Sequence, residues 1–460
     1  MSIPDPSDRR LRLTESLARE LSDQFGTPLY VLDETILRTR AALYRDSFQT
    51  VYPKIRLSYA SKANSTLAVL QVIASEQFDI DVASEGELRA AILAGIPPKR
   101  CTFHGNNKSA KELAFAIEAG IGEIVIDNFH EMHLLEAMNR GGTRFLLRLA
   151  PGVDPITHHR ISTGQEDTKF GFNISDGSAM AAVEGCLASN IHVIGFHCHV
   201  GSQLMNSEAQ VAGAERLAEF AVQMAEKHRF KPEVLNVGGG LGVRYTPADH
   251  PQDIPSYCRD IVEAVKRGLG NSDLNPTIVQ EPGRSLVAEA GVTLYTVGAV
   301  KTVPLPENGV RTYVSVDGSL ADNPRPAMYD AVYQVERVAK RHEEPTIRSG
   351  AVPMLEHGGP LPVLSAPGAP LMSEDLEVVT ICGRSCETDN LFIDVQLPSD
   401  IGPGDFVQVL STGAYNASMA SNYNRFPRPA TVMIRSDGQA RLVQKRESYE
   451  QMFEREVSLE

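Results

Sequence analysis

Five short stretches of this chain crowd together groups that handle protons and oxyanions. They are SYASKAN at 58–64, HGNNK at 104–108, HCHVGS at 197–202, GGGLG at 238–242 and EPGR at 281–284. Lys62 lies among small residues, where an ammonium can be partly desolvated; once deprotonated, such an amine forms a Schiff base with an aldehyde. The glycines have no Cβ, so backbone N–H groups at Gly239 and Gly240 can close on a phosphate. Glu281 offers a carboxylate that can keep a pyridine nitrogen protonated. His199 can lay its imidazole over a ring, and the Ser202 hydroxyl can donate to a phosphate. Taken singly, each has an ordinary reading: an exposed lysine, a flexible loop, a surface glutamate before a Pro-Gly turn. Taken together they point to pyridoxal 5′-phosphate. His197, Cys198 and His199 have no third or fourth partner at helix or hairpin spacing, so no metal is assigned.

Such groups act together only if the elements that carry them converge. From residue 55 to 281, β-branched runs alternate with stretches of helical periodicity, the mark of βα units. The expected strands are 55–59, 78–82, 100–103, 123–126, 145–149, 193–196, 234–237 and 277–280. Helices are expected at 66–76, 85–94, 110–119 and 129–139, and within 176–189, 207–228 and 256–269. Leu67, Leu70, Val72 and Ile73, like Leu88, Ala91 and Ile92, should face the sheet. Eight units in about 230 residues suit an α/β fold of the (β/α)8 TIM barrel type, with the polar stretches at the strand ends where barrel sites lie. A doubly wound open sheet is the other arrangement. GGGLG follows the seventh strand, so it is not an opening Rossmann fingerprint.

Past residue 285 the helical spacing gives way to strand-like runs at 292–303, 312–316, 376–381, 406–410 and 431–434, which predict an all-β C-terminal domain. The run PLYVLD at 28–33 is a further strand; if it joins that domain, the domain draws on both ends of the chain. The expected division is 1–35 with the β domain, 36–285 as the barrel and 286–460 as the β domain, with a Pro- and Gly-rich excursion at 342–372.

Composition narrows the function classes. With 460 residues, the chain exceeds the roughly 250–300 residues one core supports. Hydrophobic residues at 42% and charged residues at 22% suit a globular protein. The 58 acidic against 44 basic side chains give a formal charge of -14, which argues against nucleic acid as a partner. Six scattered cysteines do not make a disulfide framework, the opening residues lack an apolar centre, and no apolar run is long enough to span a membrane. A cytoplasmic setting with no membrane partner is expected.

In ordered segments over nearly its whole length, the chain resembles the alanine-racemase-fold pyridoxal-phosphate decarboxylases, and among them the diaminopimelate decarboxylase family. The segments include FGTPLYVLD at 25–33, SYASKAN at 58–64, ISTGQEDTKFGF at 161–172, GFHCHVGSQ at 195–203, LNVGGGLGV at 235–243, EPGRSLV at 281–287, VDGSLADNPRPAMY at 316–329, CGRSCETDN at 382–390 and GAYNASMASNYN at 413–424. The resemblance implies decarboxylation of meso-diaminopimelate to lysine. Lys62 resembles the Schiff-base lysine and His199 the stacked imidazole. Gly239 and Gly240 resemble the phosphate loop, Glu281 the partner of the pyridine nitrogen, and Tyr415 the phenol that reaches the phosphate. Arg284, Arg325 and Tyr329 resemble the groups on the substrate's far carboxylate, and Glu387 the one near its far ammonium. Cys386 resembles the thiol that protonates Cα. Cys386 and Glu387 come, in that family, from the other subunit of a homodimer.

A rigid guanidinium fork at Arg284 and Arg325 suits a second substrate carboxylate, which simple diamine precursors lack. Where the family commonly reads Cys-Glu-Ser-Gly-Asp, this chain has CETDN at 386–390, so the usual aspartate is Asn390 without a gap or Asp389 with a one-residue deletion. The rivals are a same-fold decarboxylase of ornithine, arginine or a carboxylated polyamine, and a non-catalytic regulator built on the same scaffold.

Overall fold

A computed structural model describes residues 8–138, 140–153, 167–306, 309–338 and 375–459. The expected excursion at 342–372 and much of the segment 161–172 lie outside the described residues. The chain divides into two units: Arg38–Val243 with Asp249–Leu286, and Met1–Leu37 with Arg244–Ala248 and Val287–Glu460.

Strand β1 (Leu29–Asp33) precedes the α/β unit. That unit contains β2 (Ile55–Ala60), β3 (Asp79–Val82), β4 (Cys101–Phe103), β5 (Glu123–Ile126), β6 (Arg144–Ala150), β7 (Phe172–Asn173), β8 (Val193–His197), β9 (Val234–Asn236) and β10 (Thr277–Gln280). Every pairing is parallel. The order runs β2-β3-β4-β5-β6-β8-β9-β10, and β10 returns to β2 with Ile278 beside Ile55 and Gln280 beside Leu57. The two-residue β7 adds to the end of β6. A helix lies between each strand of that order and the next, with the helix Ser178–Ala188 standing between β6 and β8, as parallel pairing requires. β5 and β8 are buried at every position, as strands covered on both faces should be. Val125, Leu146, Ile194, Val234 and Val279, one from each of five strands, form a buried apolar cluster.

Local chemistry sets the helix starts. Ser84, Ser109, Asn128 and Asp253 each accept a backbone N–H three residues on, and Ser109 with Glu112 forms a reciprocal capping box. Leu70, Val72, Ile73, Leu88 and Ala91 are buried as expected. Leu67 and Ile92 are instead exposed: Leu67 opens its helix, and Ile92 sits one position round from the buried Leu88–Ala91 stripe.

The other unit is mostly β, with β11 (Gly291–Pro304), β12 (Val310–Val316), β13 (Val335–Arg337), β14 (Leu376–Cys382), β15 (Asn390–Pro398), β16 (Phe406–Leu410), β17 (Ala430–Ile434) and β18 (Ala440–Gln444). Strand order along its sheet is β15-β14-β12-β11-β1-β17-β18, with β16 pairing β11 and β13. β1 lies antiparallel to β11 and parallel to β17, so this sheet is built from both ends of the chain. Sequence patterning missed β13, β15 and β18, and the helices Glu15–Phe25 and Glu34–Val51. Among the described residues no helix is long and apolar enough to cross a membrane.

Candidate active site

Parallel pairing puts the residues just past β2, β4, β8, β9 and β10 at one end of the α/β sheet, because all its strands run the same way. Glu281 follows β10 directly. Its carboxylate is buried, and each oxygen is engaged: Asn236 Nδ2 donates to Oε1 at 2.5 Å, and His197 Nε2 lies 3.3 Å from Oε2. His104, just past β4, brings its Nε2 to 3.3 Å from Oε1 of Glu281 and 3.6 Å from Oδ1 of Asp81. These two are ion-pair contacts rather than aligned hydrogen bonds. Ser58 donates to the same Asp81 oxygen at 2.5 Å. The rings of His104 and His197 meet edge to face, 5.0 Å apart.

The glycine run stands beside this cluster. The Gly239 N–H donates to His199 Nδ1 at 3.4 Å, and Asn236 Oδ1 accepts from Gly238 N–H at 3.0 Å. A Cβ on Gly239 would fall 2.0 Å from the Glu281 carbonyl oxygen, and Gly238 has a φ of 69°. Close approach to the Glu281 backbone and a left-handed φ therefore both require glycine. Arg284, buried, donates from Nε at 3.3 Å and Nη2 at 3.0 Å to Ser202 Oγ. Ser202 is thus an acceptor here, not only the phosphate donor expected of it. Lys62 lies in a single turn of helix straight after β2 and is exposed, where partial desolvation was expected.

Burial opposes charge throughout the cluster, and the balance against the neighbouring charges differs from group to group. For His104, burial is outweighed by the Glu281 and Asp81 carboxylates, and its pKa rises to about 9. His197 has burial as its dominant influence, against the pull of Glu281, and falls to about 4. At His199, burial and then the charges of Lys62 and Arg148 push the pKa well down. Asp81 is lifted to about 6 by burial and by Glu281, against His104 and Ser58. Glu281 is held well below the usual carboxylate range because His104 and His197 overcome its desolvation. Near neutrality the cluster therefore holds an imidazolium at 104, neutral rings at 197 and 199, and a carboxylate at 281. His197 must present its proton from Nε2, since that atom faces the Glu281 oxygen.

Sequence reasoning sought partners for His197 next to it in the chain; the fold supplies them from other strands. Ligand atoms of His104, His197 and Glu281 all lie within 4.8 Å of one another. These atoms serve one another as proton donors and acceptors, and we read the cluster as a buttressed carboxylate. Asp81 and Asn236 had no signal of their own: each is one polar residue within a short strand.

The mostly-β unit gathers a second group. Arg325 Nη1 donates to the hydroxyls of Tyr245 at 2.8 Å and Tyr333 at 2.6 Å. Its guanidinium also lies over the rings of Tyr245, Tyr329, Tyr333 and Tyr415, 5.0–6.0 Å from their centroids. Tyr245 and Tyr333 were not anticipated. In the cysteine loop, Cys386 N–H donates to Asn424 Oδ1 at 2.7 Å, and the Tyr423 hydroxyl donates to Glu387. Cys386 and Glu387 are both exposed. Asp389 is buried and accepts from Leu320 N–H at 3.0 Å and Ser385 N–H at 3.1 Å, whereas Asn390 is exposed at the start of β15.

Residues 38–288 match the family described as pyridoxal-dependent decarboxylase, pyridoxal binding domain. The chain is 42% identical to a diaminopimelate decarboxylase of Bacillus subtilis over 94% of this chain and 91% of that protein. It is 38% identical to one of Staphylococcus aureus over 95% and 94%. Among solved structures, a diaminopimelate decarboxylase of M. jannaschii superposes with a TM-score of 0.83 at 29% identity, covering 98% of each chain. A Helicobacter pylori diaminopimelate decarboxylase complexed with L-lysine gives 0.79 at 28%, covering 95% of this chain and 98% of that one. With the glycine run and the buttressed Glu281 at the strand ends, the chain belongs to the diaminopimelate decarboxylase family of pyridoxal-dependent decarboxylases.

Proposed function

We infer that this enzyme decarboxylates meso-diaminopimelate to lysine with pyridoxal 5′-phosphate as cofactor, on a closed α/β sheet of the (β/α)8 TIM-barrel type. Residues 36–285 are assigned to that barrel, and 286–460, with 1–35, to the β domain. The observation that carries the reading is a buried, ionised Glu281 beside a glycine run that tolerates no side chain. These residues fit the cofactor. Gly239 and Gly240 leave room for a phosphate, with Tyr415 assigned as a further phosphate partner, and Glu281 supplies the anion for a ring nitrogen. Neutral His199 brings a flat face without adding positive charge.

Bound there, pyridoxal phosphate supplies a sink for the electron pair left when a carboxylate departs as carbon dioxide. Glu281 keeps its charge and so would hold a proton on the ring nitrogen. Lys62 is assigned as the amine that would tether the cofactor. Arg284, Arg325 and Tyr329 are assigned to the substrate's far carboxylate. Two tyrosine hydroxyls already orient the Arg325 fork, which favours a bidentate grip on a planar anion. Cys386 is assigned as the proton donor to Cα and Glu387 to the far ammonium, both from the partner of a homodimer.

The test is turnover on meso-diaminopimelate, its LL isomer, ornithine, arginine and lysine by the purified holoenzyme. Turnover should be greatest on the meso diacid. Faster turnover of ornithine or arginine would transfer the assignment to the diamine precursors.

A further inference from the structure

Glu281 does not stand alone: a second carboxylate, Asp81 on β3, lies in the same buried cluster, with His104 Nε2 between them at 3.6 and 3.3 Å. Two buried carboxylates this close to one ring nitrogen pose a problem, because like charges in a desolvated site drive one of them to take up a proton. If Glu281 took it, the carboxylate would stop being a pure acceptor toward the ring. We propose that Asp81 and His104 form a positioning pair, in which the His104 imidazolium bridges the two carboxylates and leaves Glu281 as the anion that faces the cofactor's ring nitrogen.

The inference rests on the cofactor reading above and extends it to residues that do not touch substrate. Charge counting supports it. Asp81 and Glu281 carry one negative charge each and His104 one positive, so the cluster retains a single negative charge to balance one protonated ring nitrogen. The other groups around His104 cannot take its place. His197 on β8 is neutral, Asn236 on β9 and Ser58 on β2 are uncharged donors, and Arg148 on β6 acts on Glu281 only through its longer-range field. Ser58 in turn donates to Oδ1 of Asp81, the same oxygen that faces His104, which fixes the carboxylate toward the imidazole. The His104 charge is present below about pH 9 and is lost as pH rises through that value.

The test is a double-mutant cycle read as the dissociation constant of pyridoxal phosphate for the apoprotein, with a melting curve for each variant. His104→Gln should weaken cofactor binding by about tenfold or more, the factor that one pKa unit of differential interaction represents. Asp81→Asn in the same chain should recover most of that loss, because removing the second carboxylate removes the need for the cation. A purely structural role would make the two losses multiply. Multiplying losses, or unweakened binding in His104→Gln, overturns the proposal. Should His104→Gln fail to fold, Asp81→Asn alone decides. With one carboxylate gone the cation is no longer needed, so loss of the His104 charge above about pH 9 should cost cofactor binding less than in the parent, and the alkaline limit of cofactor retention should move above that of the parent; an unmoved or lowered limit overturns the pairing. Failure of the cofactor reading looks different: the parent protein itself would bind no pyridoxal phosphate.

Discussion

Gly239 is where the cradle has least room. Its missing side chain lets the loop lie against the Glu281 backbone, so the residue proposed to shape a phosphate site also sets how closely the loop approaches Glu281. Gly239→Ala would place a methyl 2.0 Å from a backbone oxygen, and a backbone neighbour cannot swing aside as a side chain can. Either the loop or the strand end must shift. We expect an overpacking cost of about 3 kcal/mol, felt as a roughly hundredfold loss of pyridoxal phosphate affinity in an otherwise folded protein. An absorbance titration of the apoprotein measures it. Gly438→Ala is the control, since a Cβ there meets nothing within 4 Å, although its φ of 81° adds some local strain. Unchanged cofactor affinity in Gly239→Ala would mean that the loop has slack that the geometry does not suggest.

Strands and loops decide which residues become neighbours, and here the CETDN loop is informative. Asp389 ties the turn together by accepting from Leu320 and Ser385, while Asn390 already belongs to β15. The aspartate that does structural work is therefore the one reached by a one-residue deletion. Asp389→Ala would leave two backbone donors without their acceptor, at roughly 1–3 kcal/mol each if they stay buried. We expect kcat to fall by about tenfold, equivalent to about 1.4 kcal/mol of misplacement, with cofactor affinity retained. Asn390→Asp should leave both unchanged. A reversed pattern in steady-state kinetics would restore the ungapped alignment. The same scale explains what the sequence made legible. All eight strands of the closed sheet were readable because buried parallel strands are short β-branched runs flanked by helical periods. β13, with three residues, is too short to show a period. β18 exposes most of its side chains, so its pattern is polar. Lys62, the glycines and Glu281 carry local motifs, whereas Asp81, His104 and Asn236 become a cluster only through the pairing of β3, β4, β9 and β10.

At the scale of the whole molecule, the assignment of Lys62 to the cofactor and Cys386 to the proton donor makes a claim about assembly. Cys386 and Glu387 are exposed on the single chain, on a loop that Asn424 and Tyr423 hold in place. A proton donor to a carbanion has to be shielded from bulk water, otherwise solvent delivers the proton without stereochemical control. Pairing with a second copy supplies that shielding if the loop acts on the partner's substrate. Two inactive variants then complement each other. Lys62→Ala lacks the tether and Cys386→Ala the donor, but a mixed dimer contains one site in which both are intact. Random exchange makes half the dimers mixed, each with one working site of two, so activity should recover to about a quarter of the parent level. The measurement is lysine formation after mixing the two purified variants under conditions that let subunits exchange, with the separate variants as blanks. Activity no greater than the sum of the blanks, in a sample shown by mass to contain mixed dimers, would place Lys62 and Cys386 in the same chain's site and remove the shared arrangement.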